Sequence, residues 1–540
     1  MAKPRIFFDH DGRHPLIYMY EPPMQKEELE AAVDELVGTP VEALSLTLGD
    51  AQSLLYDSQV GALWGRDIKK WPHLIWKRAN QNFTQLIKAG CDPLQVLCDK
   101  AHANSLLLYA MLLPQQGPRE LMLKSWENPR FATAEQRNPQ PLEIGSKGGV
   151  DAEWPGYRAW DYAWDAVREQ NLAIVEEVLA RYPVDGFELQ LSYCPYYFHP
   201  DEIAAGMGIM TEWIGRVYAA VKKSDPAREL VLRVPANLDG CRAVGLEPLE
   251  WMRRGIVDAI VPEASGAADP SADFSAFVKA AYGTACRVLP ALQSRIDSDR
   301  VGEGTIEMVR AGACNYWAQG VDGLYIAHWF GCWPYKADFY QKLREVPFPE
   351  TMAAKDKIYR IPSEGSAPAP EAIAPNVANP LPIELAKGQA LQVGFAVSDD
   401  LKKWDKVDRV HEVILRVRVQ ETTERDRLRF AFNGKELPQS LLRKINQMYV
   451  MDAPRYRVFG YWYVFRLHEK FRPVQGWNVL EVELIKRDGQ ALPAVVLRDV
   501  ELEIKYLMGK NYHRGLIDAD LGPVNCNEQG YQNFGHISHA

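Results

Sequence analysis

The chain has 540 residues, which is too long for one domain, and its 47% apolar and 25% charged residues are typical of a folded globular protein. A net charge of −9 without a cluster of Lys and Arg argues against a nucleic-acid partner, and no apolar run is long enough to cross a membrane. The 8 cysteines have no metal-binding spacing. Because reduced thiols suit the cytosol and the chain starts without a recognisable signal peptide, we expect a cytoplasmic protein.

Eight strand-like segments alternate with helical stretches through residues 1–328. Parallel strands joined by helices predict either a closed (β/α)8 barrel or an open doubly wound sheet. No Gly-rich phosphate-binding loop follows any of the strands, which removes the usual reason to expect the open sheet. We therefore predict a (β/α)8 TIM barrel with strands at 5–8, 43–48, 106–112, 187–191, 230–234, 259–263, 288–292 and 324–328.

The fourth of these segments carries polar residues on one face. Apolar residues alternate with Glu188, Gln190 and Ser192, so the period of two places the polar side chains together on the side opposite the apolar ones. In a barrel strand the apolar side packs on the helices and the other side faces the interior. Polar groups inside a barrel are costly unless they serve a site. The fourth strand is therefore our first pointer to function.

The rest of the chain divides into a long connection, a linker and a second domain. Residues 114–157 have no clear period and would cover the carboxyl end of the barrel as a lid. A stretch rich in Pro, Ala and Ser predicts a linker, and the alternating segments after it, with a turn at Asn433-Gly434, predict an all-β sandwich (jelly roll) that mainly braces the barrel. The expected divisions are a catalytic barrel at 1–361, a linker at 362–383, a β-sandwich at 384–508 and a tail at 509–540.

Two carboxylates at one barrel mouth would provide the pair that glycoside hydrolysis requires. Residues at the carboxyl ends of the strands form the sites of barrel enzymes, and Glu188 and Glu263 are the best-placed carboxylates there. Each has a structural alternative: Glu188 would pair with Arg233 on the neighbouring strand, and Glu263 would simply begin a loop. We predict Glu188 and Glu263 as the catalytic residues.

Other polar and aromatic residues near the strand ends are expected to line the same mouth. Aromatic rings stack on the C–H faces of sugars, and the forks of Arg233 and Arg295 suit the carboxylate or sulfate of an acidic sugar. The predicted substrate-binding residues are Asp9, His10, His102, Gln190, Tyr193, Arg233, Arg295, His328, Trp329 and Trp333.

The fourth strand and its loop resemble those of bacterial glycoside-hydrolase-like barrels. In these proteins a helix leads into Asp-Gly-hydrophobic-Glu-Leu-Asp and then into an aromatic loop that contains Pro. Here residues 185–190 read Asp-Gly-Phe-Glu-Leu-Gln and residues 193–198 read Tyr-Cys-Pro-Tyr-Tyr-Phe. Residues 432–437 and 476–482 resemble parts of the galactose-binding-like sandwiches that follow many glycosidase barrels. The resemblance implies a glycoside hydrolase with a carbohydrate substrate, and this carboxylate chemistry needs no cofactor or metal.

Two positions depart from the patterns that the strand resembles. Gln190 stands where the barrel pattern has Asp, and Ser192 stands where a chitinase-like pattern has its catalytic Glu. The alternatives are therefore a sugar-binding pseudoenzyme and a metal-dependent barrel enzyme, such as a sugar isomerase or lyase, for which Asp, Glu and His residues would supply ligands. We predict a glycoside hydrolase that acts on a small oligosaccharide or glycoside.

Overall fold

The computed structural model describes most of the chain as two packed regions, a parallel barrel and an antiparallel sandwich. The described residues are 3–14, 16, 20–50, 53–71, 73–115, 140–264, 268–296, 303–363, 380–446 and 460–507. Most of the predicted lid and linker, and the predicted tail, lie outside the described residues. No helix within the described ranges is both long and apolar enough to cross a membrane.

A parallel sheet curls into the barrel and closes on itself. Around the barrel the order is β10-β11-β1-β2-β5-β6-β7-β8-β9, and the short strands β3 and β4 extend it beside β2. The seventh barrel strand is divided into β9 and β10 at Leu289-Pro290, where β9 pairs with β8 and β10 pairs with β11. The strands are β1 Ile6–His10, β2 Ala43–Asp50, β3 Ser53–Leu54, β4 Ala62–Leu63, β5 Leu107–Leu113, β6 Gly186–Gln190, β7 Glu229–Pro235, β8 Ala259–Glu263, β9 Arg287–Val288, β10 Ala291–Gln293 and β11 Leu324–Ala327. The predicted (β/α)8 barrel is confirmed.

Helices occupy the connections between these strands. Asp92 begins one of them by accepting a hydrogen bond from the backbone N–H of Leu94, with Pro93 in the first turn, as expected for an N-terminal cap. The helices of the barrel region are α1 Lys26–Asp34, α2 Leu74–Lys88, α3 Pro93–Ala103, α4 Asp165–Arg181, α5 Ile203–Ser224, α6 Leu238–Ala243, α7 Pro248–Arg254, α8 Ser275–Ala281, α9 Ile306–Trp317, α10 Ala337–Glu345 and α11 Pro349–Met352.

The strand residues alternate between the helix side and the interior of the barrel. Phe187 and Leu189 belong to the large apolar cluster that includes the helices, while Glu188 between them is buried among interior side chains. The lower interior is a separate apolar cluster that includes Phe7 and Leu289. The polar interior side chains stand above it, toward the carboxyl ends of the strands, where barrel sites form.

Two antiparallel sheets make the sandwich. One sheet has the order β12-β21-β15-β19-β18, with β13 also paired to β21, and the other has the order β14-β20-β16-β17. Asn433 and Gly434 have φ of 50° and 74° and join β16 to β17 in a tight turn, as predicted. The elements are β12 Lys357–Arg360, β13 Ile383–Glu384, β14 Ala390–Val397, α12 Leu401–Asp405, β15 Val410–Gln420, β16 Arg427–Phe432, β17 Lys435–Glu436, β18 Leu442–Asn446, β19 Tyr461–Arg466, β20 Gly476–Lys486 and β21 Val496–Tyr506.

Barrel and sandwich are joined through a barrel helix that packs in the sandwich core and through hydrogen bonds. Strand β12 precedes the Pro/Ala-rich segment but pairs with β21, so the expected domain boundary at residue 361 separates two paired strands. Ala311 of α9 belongs to the apolar core of the sandwich. Asn315, one turn further along α9, donates to the backbone oxygen of Ala396 at 2.9 Å. The sandwich is therefore built onto one side of the barrel.

Candidate active site

Arg233 is the centre of the polar interior. Its guanidinium has no exposed surface and lies within ion-pair distance of three carboxylates, with Nη2 2.8 Å from Glu188 Oε1 and Nη1 3.2 Å from Asp9 Oδ2 and 3.5 Å from Glu263 Oε1. The guanidinium also lies over the ring of Tyr325, 4.3 Å from its centroid. A buried guanidinium needs such partners, because an unpaired charge in the interior is very costly.

Glu188 is held on all sides by donors. Its Oε2 accepts from Ser45 Oγ at 2.5 Å and from Tyr325 Oη at 2.8 Å, and its Oε1 accepts from Arg233 Nε at 2.9 Å. Burial raises the pKa of Glu188 above 4.5 even though Arg233 and the two hydroxyl donors favour the charged form. Glu188 has no exposed surface, and it lies deeper in the barrel than the backbone of Arg233.

Glu263 ends β8 and lies higher in the mouth. Its Oε1 accepts from His328 Nε2 at 3.1 Å and, more weakly, from Gln293 Nε2 at 3.4 Å. Burial alone would raise the pKa of Glu263, but Arg233, His328 and Ser192 outweigh it and hold the pKa at about 2. Glu263 is therefore ionised at neutral pH.

Gln190 and Ser192, the two positions that depart from the patterns that the fourth strand resembles, both bond to Glu263. Gln190 Nε2 donates to Glu263 Oε2 at 3.2 Å, and the Ser192 hydroxyl donates to the same oxygen. Gln190 Oε1 accepts from the backbone N–H of Tyr193 at 2.8 Å. Gln190 and Ser192 thus orient Glu263, a carboxylate of β8. Their alternation with apolar residues in the sequence predicts that both side chains point into the barrel.

His328 connects the carboxylates at the outer side of the cluster. Its Nε2 lies 3.1 Å from Glu263 Oε1, and its Nδ1 lies 3.6 Å from Asp9 Oδ2. Its backbone φ of 60° is unusual for a residue other than glycine. Burial would lower the pKa of His328, but its hydrogen bond to Glu263 and the charge of Asp9 raise it above 6.5. Because 37% of its side chain is exposed, His328 is accessible from the mouth.

Asp9 completes the upper cluster from β1. Its Oδ2 faces Arg233 and accepts from the backbone N–H of His328 at 3.3 Å. Its buried Oδ1 has no hydrogen-bond partner among the described residues. Asp9 thus presents an acceptor beside His328 and Glu263.

Aromatic and polar residues continue the mouth from this cluster. Tyr193 is half-buried and lines a small cavity together with Arg13, Trp64 and residues at the carboxyl end of β2, among them Asp50. The rings of Trp154 and Tyr196 pack edge to face with centroids 5.0 Å apart. Asp50 accepts from the backbone N–H of Ser53 at 2.8 Å.

Several predicted substrate-binding residues lie away from the cluster. His102 on α3 bonds to Asp185, which precedes β6, so His102 is at the amino end of the barrel and the prediction is corrected. Trp329 is fully buried and donates to the backbone oxygen of Leu292 at 3.0 Å, so it is a core ring and not a mouth ring. A residue before a strand lies at the amino end of the barrel, and this rule would have excluded His102.

Three further predicted substrate-binding residues, His10, Trp333 and Arg295, have their contacts in other parts of the barrel region. Burial lowers the pKa of His10 to about 4, and His10 Nδ1 accepts from the backbone N–H of Gly12. Trp333 donates to Glu35 Oε1 at 2.9 Å. Arg295 follows β10 and is exposed, and its backbone bridges to Glu303.

Sequence reasoning missed two residues of the cluster. Ser45 on β2 and Tyr325 on β11 both donate to Glu188, and Tyr325 also faces Arg233. The period of two in each strand would have shown that both point inward. Within the described residues, no group of three or more His, Cys, Asp and Glu side chains is arranged to hold a metal ion.

No family model and no curated protein matches this chain. Similar solved structures include alpha-L-fucosidase isoenzyme 2 from Paenibacillus thiaminolyticus, with 13% identity, a TM-score of 0.41 and coverage of 65% of this chain and 49% of the fucosidase. An alpha-galactosidase from Geobacillus stearothermophilus has 11% identity, a TM-score of 0.37 and coverage of 89% and 56%. A putative alpha-L-fucosidase from Bacteroides thetaiotaomicron has 11% identity, a TM-score of 0.32 and coverage of 91% and 94%. The chain thus matches about half the length of the first two proteins.

Proposed function

We propose that the protein is a glycoside hydrolase that acts on a small oligosaccharide or glycoside, with Glu263 as its reacting carboxylate. The observation that carries the proposal is the environment of Glu263 at the carboxyl end of β8, where Arg233 and His328 hold its pKa at about 2. An ionised carboxylate is what a glycosidase needs as nucleophile or as the base that activates water.

The proton for the leaving group comes, in this proposal, from His328. Its raised pKa favours the protonated imidazole, and its exposed surface makes it accessible to a glycosidic oxygen in the mouth. The predicted partner Glu188 also has a raised pKa, as a general acid requires, but it has no exposed surface. We therefore assign Glu188 the role of positioning Arg233, which in turn faces Asp9 and Glu263.

The walls of the mouth support a sugar as the substrate. Tyr193 is attached to the cluster through Gln190, and the half-buried Trp154, packed on the buried Tyr196, provides a further ring in the loops on this side of the barrel. Aromatic rings present flat apolar faces that match the C–H faces of a pyranose, while their polar edges tolerate water. Asp9 Oδ1 offers an acceptor for a sugar hydroxyl.

The test is hydrolysis of a panel of nitrophenyl glycosides and short oligosaccharides by the wild-type protein and by Glu263→Gln. Turnover of at least one substrate that is lost in Glu263→Gln supports the proposal.

A sugar-binding protein without catalysis is the second candidate, because both oxygens of Glu263 already accept hydrogen bonds. Saturable binding of a sugar at Tyr193, with no turnover of any substrate in the panel, would favour this second candidate.

A further inference from the structure

A groove lies between residues of the barrel region and residues of the sandwich. Its barrel side comes from the segment that includes Asp273 and from the end of α9 at Asn315, and its sandwich side comes from β14 and the start of β20 at Trp477. Its cavity volume is about 430 Å³. This volume is in the range of small-molecule sites.

Trp477 forms a flat apolar surface in this groove. Its side chain is 60% exposed, although a ring of this size is normally well buried. A Cβ on Gly394 would meet Cζ2, Cε2 and Nε1 of the Trp477 ring at 2.5, 2.6 and 2.6 Å. These distances are shorter than real Cβ contacts, so the Trp477 ring occupies space that only a glycine at position 394 leaves open. The ring therefore lies against the sheet, while more than half of the residue stays exposed.

Asn315 adds a buried acceptor that lacks a donor. Its Nδ2 donates to the backbone oxygens of Pro270 at 2.7 Å and Ala396 at 2.9 Å, which fixes the orientation of the amide. Its Oδ1 is buried without a hydrogen-bond partner among the described residues, and Asn315 as a whole is 4% exposed. An unpaired buried acceptor is costly, and a ligand hydroxyl would satisfy it.

Charge limits the class of ligand. Among the described residues that line the groove, Asp273 is the charged side chain, and it is exposed. A carboxylate at the rim disfavours anions, while an aromatic face beside an amide acceptor matches a ring with a C–H face and hydroxyl donors. We propose that this groove is a second carbohydrate site, which binds a neutral oligosaccharide with one pyranose ring on Trp477.

The experiment measures binding by isothermal titration in the Glu263→Gln background, so that turnover does not consume the ligand. The probes are cellopentaose, maltopentaose and, as an acidic comparison, pentagalacturonic acid. Trp477→Ala should weaken the binding of the preferred neutral pentamer about tenfold or more, and Trp477→Phe should retain most of the affinity. Tyr282→Ala removes a ring that is 92% exposed at the end of α8 and is the matched control, with unchanged affinity expected.

Binding at the mouth is separated from binding at the groove by a second variant, Tyr193→Ala. The proposed groove site is supported if Trp477→Ala loses one binding event and Tyr193→Ala retains that same event. This outcome does not depend on whether the protein hydrolyses sugars. The proposal is overturned if neither neutral pentamer binds to saturation, if Trp477→Ala binds as the parent does, or if the acidic pentamer binds the groove more tightly.

Discussion

Glu188 and Arg233 form an ion pair inside the barrel in which neither side chain has exposed surface, with Arg233 Nη2 2.8 Å from Glu188 Oε1. Arg233 is the register partner of Gln190, so Glu188 lies one inward position below it on the neighbouring strand. The attraction within a buried pair is largely offset by the desolvation of both groups. Removal of one partner is nevertheless severe, because it leaves the other charge in the interior.

Glu188→Gln should therefore destabilise the protein by about 3–5 kcal/mol, toward the lower figure because Asp9 and Glu263 still face the guanidinium. Urea unfolding monitored by tryptophan fluorescence measures this difference. Glu169→Gln, which removes a carboxylate from a solvent-exposed pair with Arg216, is the control and should change the free energy of unfolding little. A stability equal to that of the wild type would show that Arg233 does not depend on Glu188.

Glu263→Gln should lower kcat by about a hundredfold or more on any substrate that the panel identifies, because acid–base and nucleophilic groups contribute at least that much. Glu188→Gln, compared per folded molecule, should retain much more activity, since Glu188 does not reach the surface. The sequence alone predicts Glu188 as the second catalytic carboxylate. An equal loss of kcat in both variants, with both folded, would favour that prediction over a positioning role.

His328→Asn should remove the alkaline limb of the pH–rate profile. The pKa of His328 is raised above 6.5, so an activity that needs its protonated form is retained at pH 6.5 and falls as the pH rises through the higher value. Asn tolerates the φ of 60° better than most residues, so the backbone is preserved while the titrating group is lost. An alkaline limb that persists at the same pH in the folded variant would assign it to another group.

The strand phases and the barrel were predictable because they depend on local patterns. The alternation around Glu188 places it inside the barrel, and the order of strands places Arg233 beside it, as the structural alternative for Glu188 anticipated. The position of Trp329 was not predictable from the same rules. It follows β11 directly, where a mouth residue is expected, but a short 3-10 helix turns its ring into the core.

The relative depth of the carboxylates also required the structure. Sequence places Glu188 and Glu263 on inward faces, yet depth depends on how far neighbouring strands are shifted. The register pairs Pro235 with Glu263 and Val231 with Glu188, which puts Glu263 nearer the carboxyl end of the barrel. The bonds from Ser45 and Tyr325 to Glu188 join strands that are distant in the chain, and no local pattern encodes them.

Deletion of residues 376–540 should reduce stability far more than it changes substrate preference. The deletion removes β21, the partner of β12, and exposes Ala311 and the rest of the shared core. The contacts described above for Arg233 and Glu263 come from barrel residues, so the preference among substrates should persist in whatever fraction remains folded. Thermal unfolding and relative kcat/KM values for two substrates measure the two effects. A changed preference in a stable truncated protein would assign part of the site to the sandwich.

The contacts of Arg233 also constrain how the barrel folds. Arg233 is separated from Asp9 by 224 residues and from Tyr325 by 92, and it also contacts Met111 on β5 and Glu188 on β6. Contacts over such sequence separations form only after long loops have closed, which makes them slow and late. The contacts of Arg233 with Asp9 and Tyr325 require that the first and last strands have joined the sheet, whereas its contact with Glu188 needs only the neighbouring strand β6. A barrel that has not closed leaves the guanidinium without these two partners, and such a charge is costly in the interior.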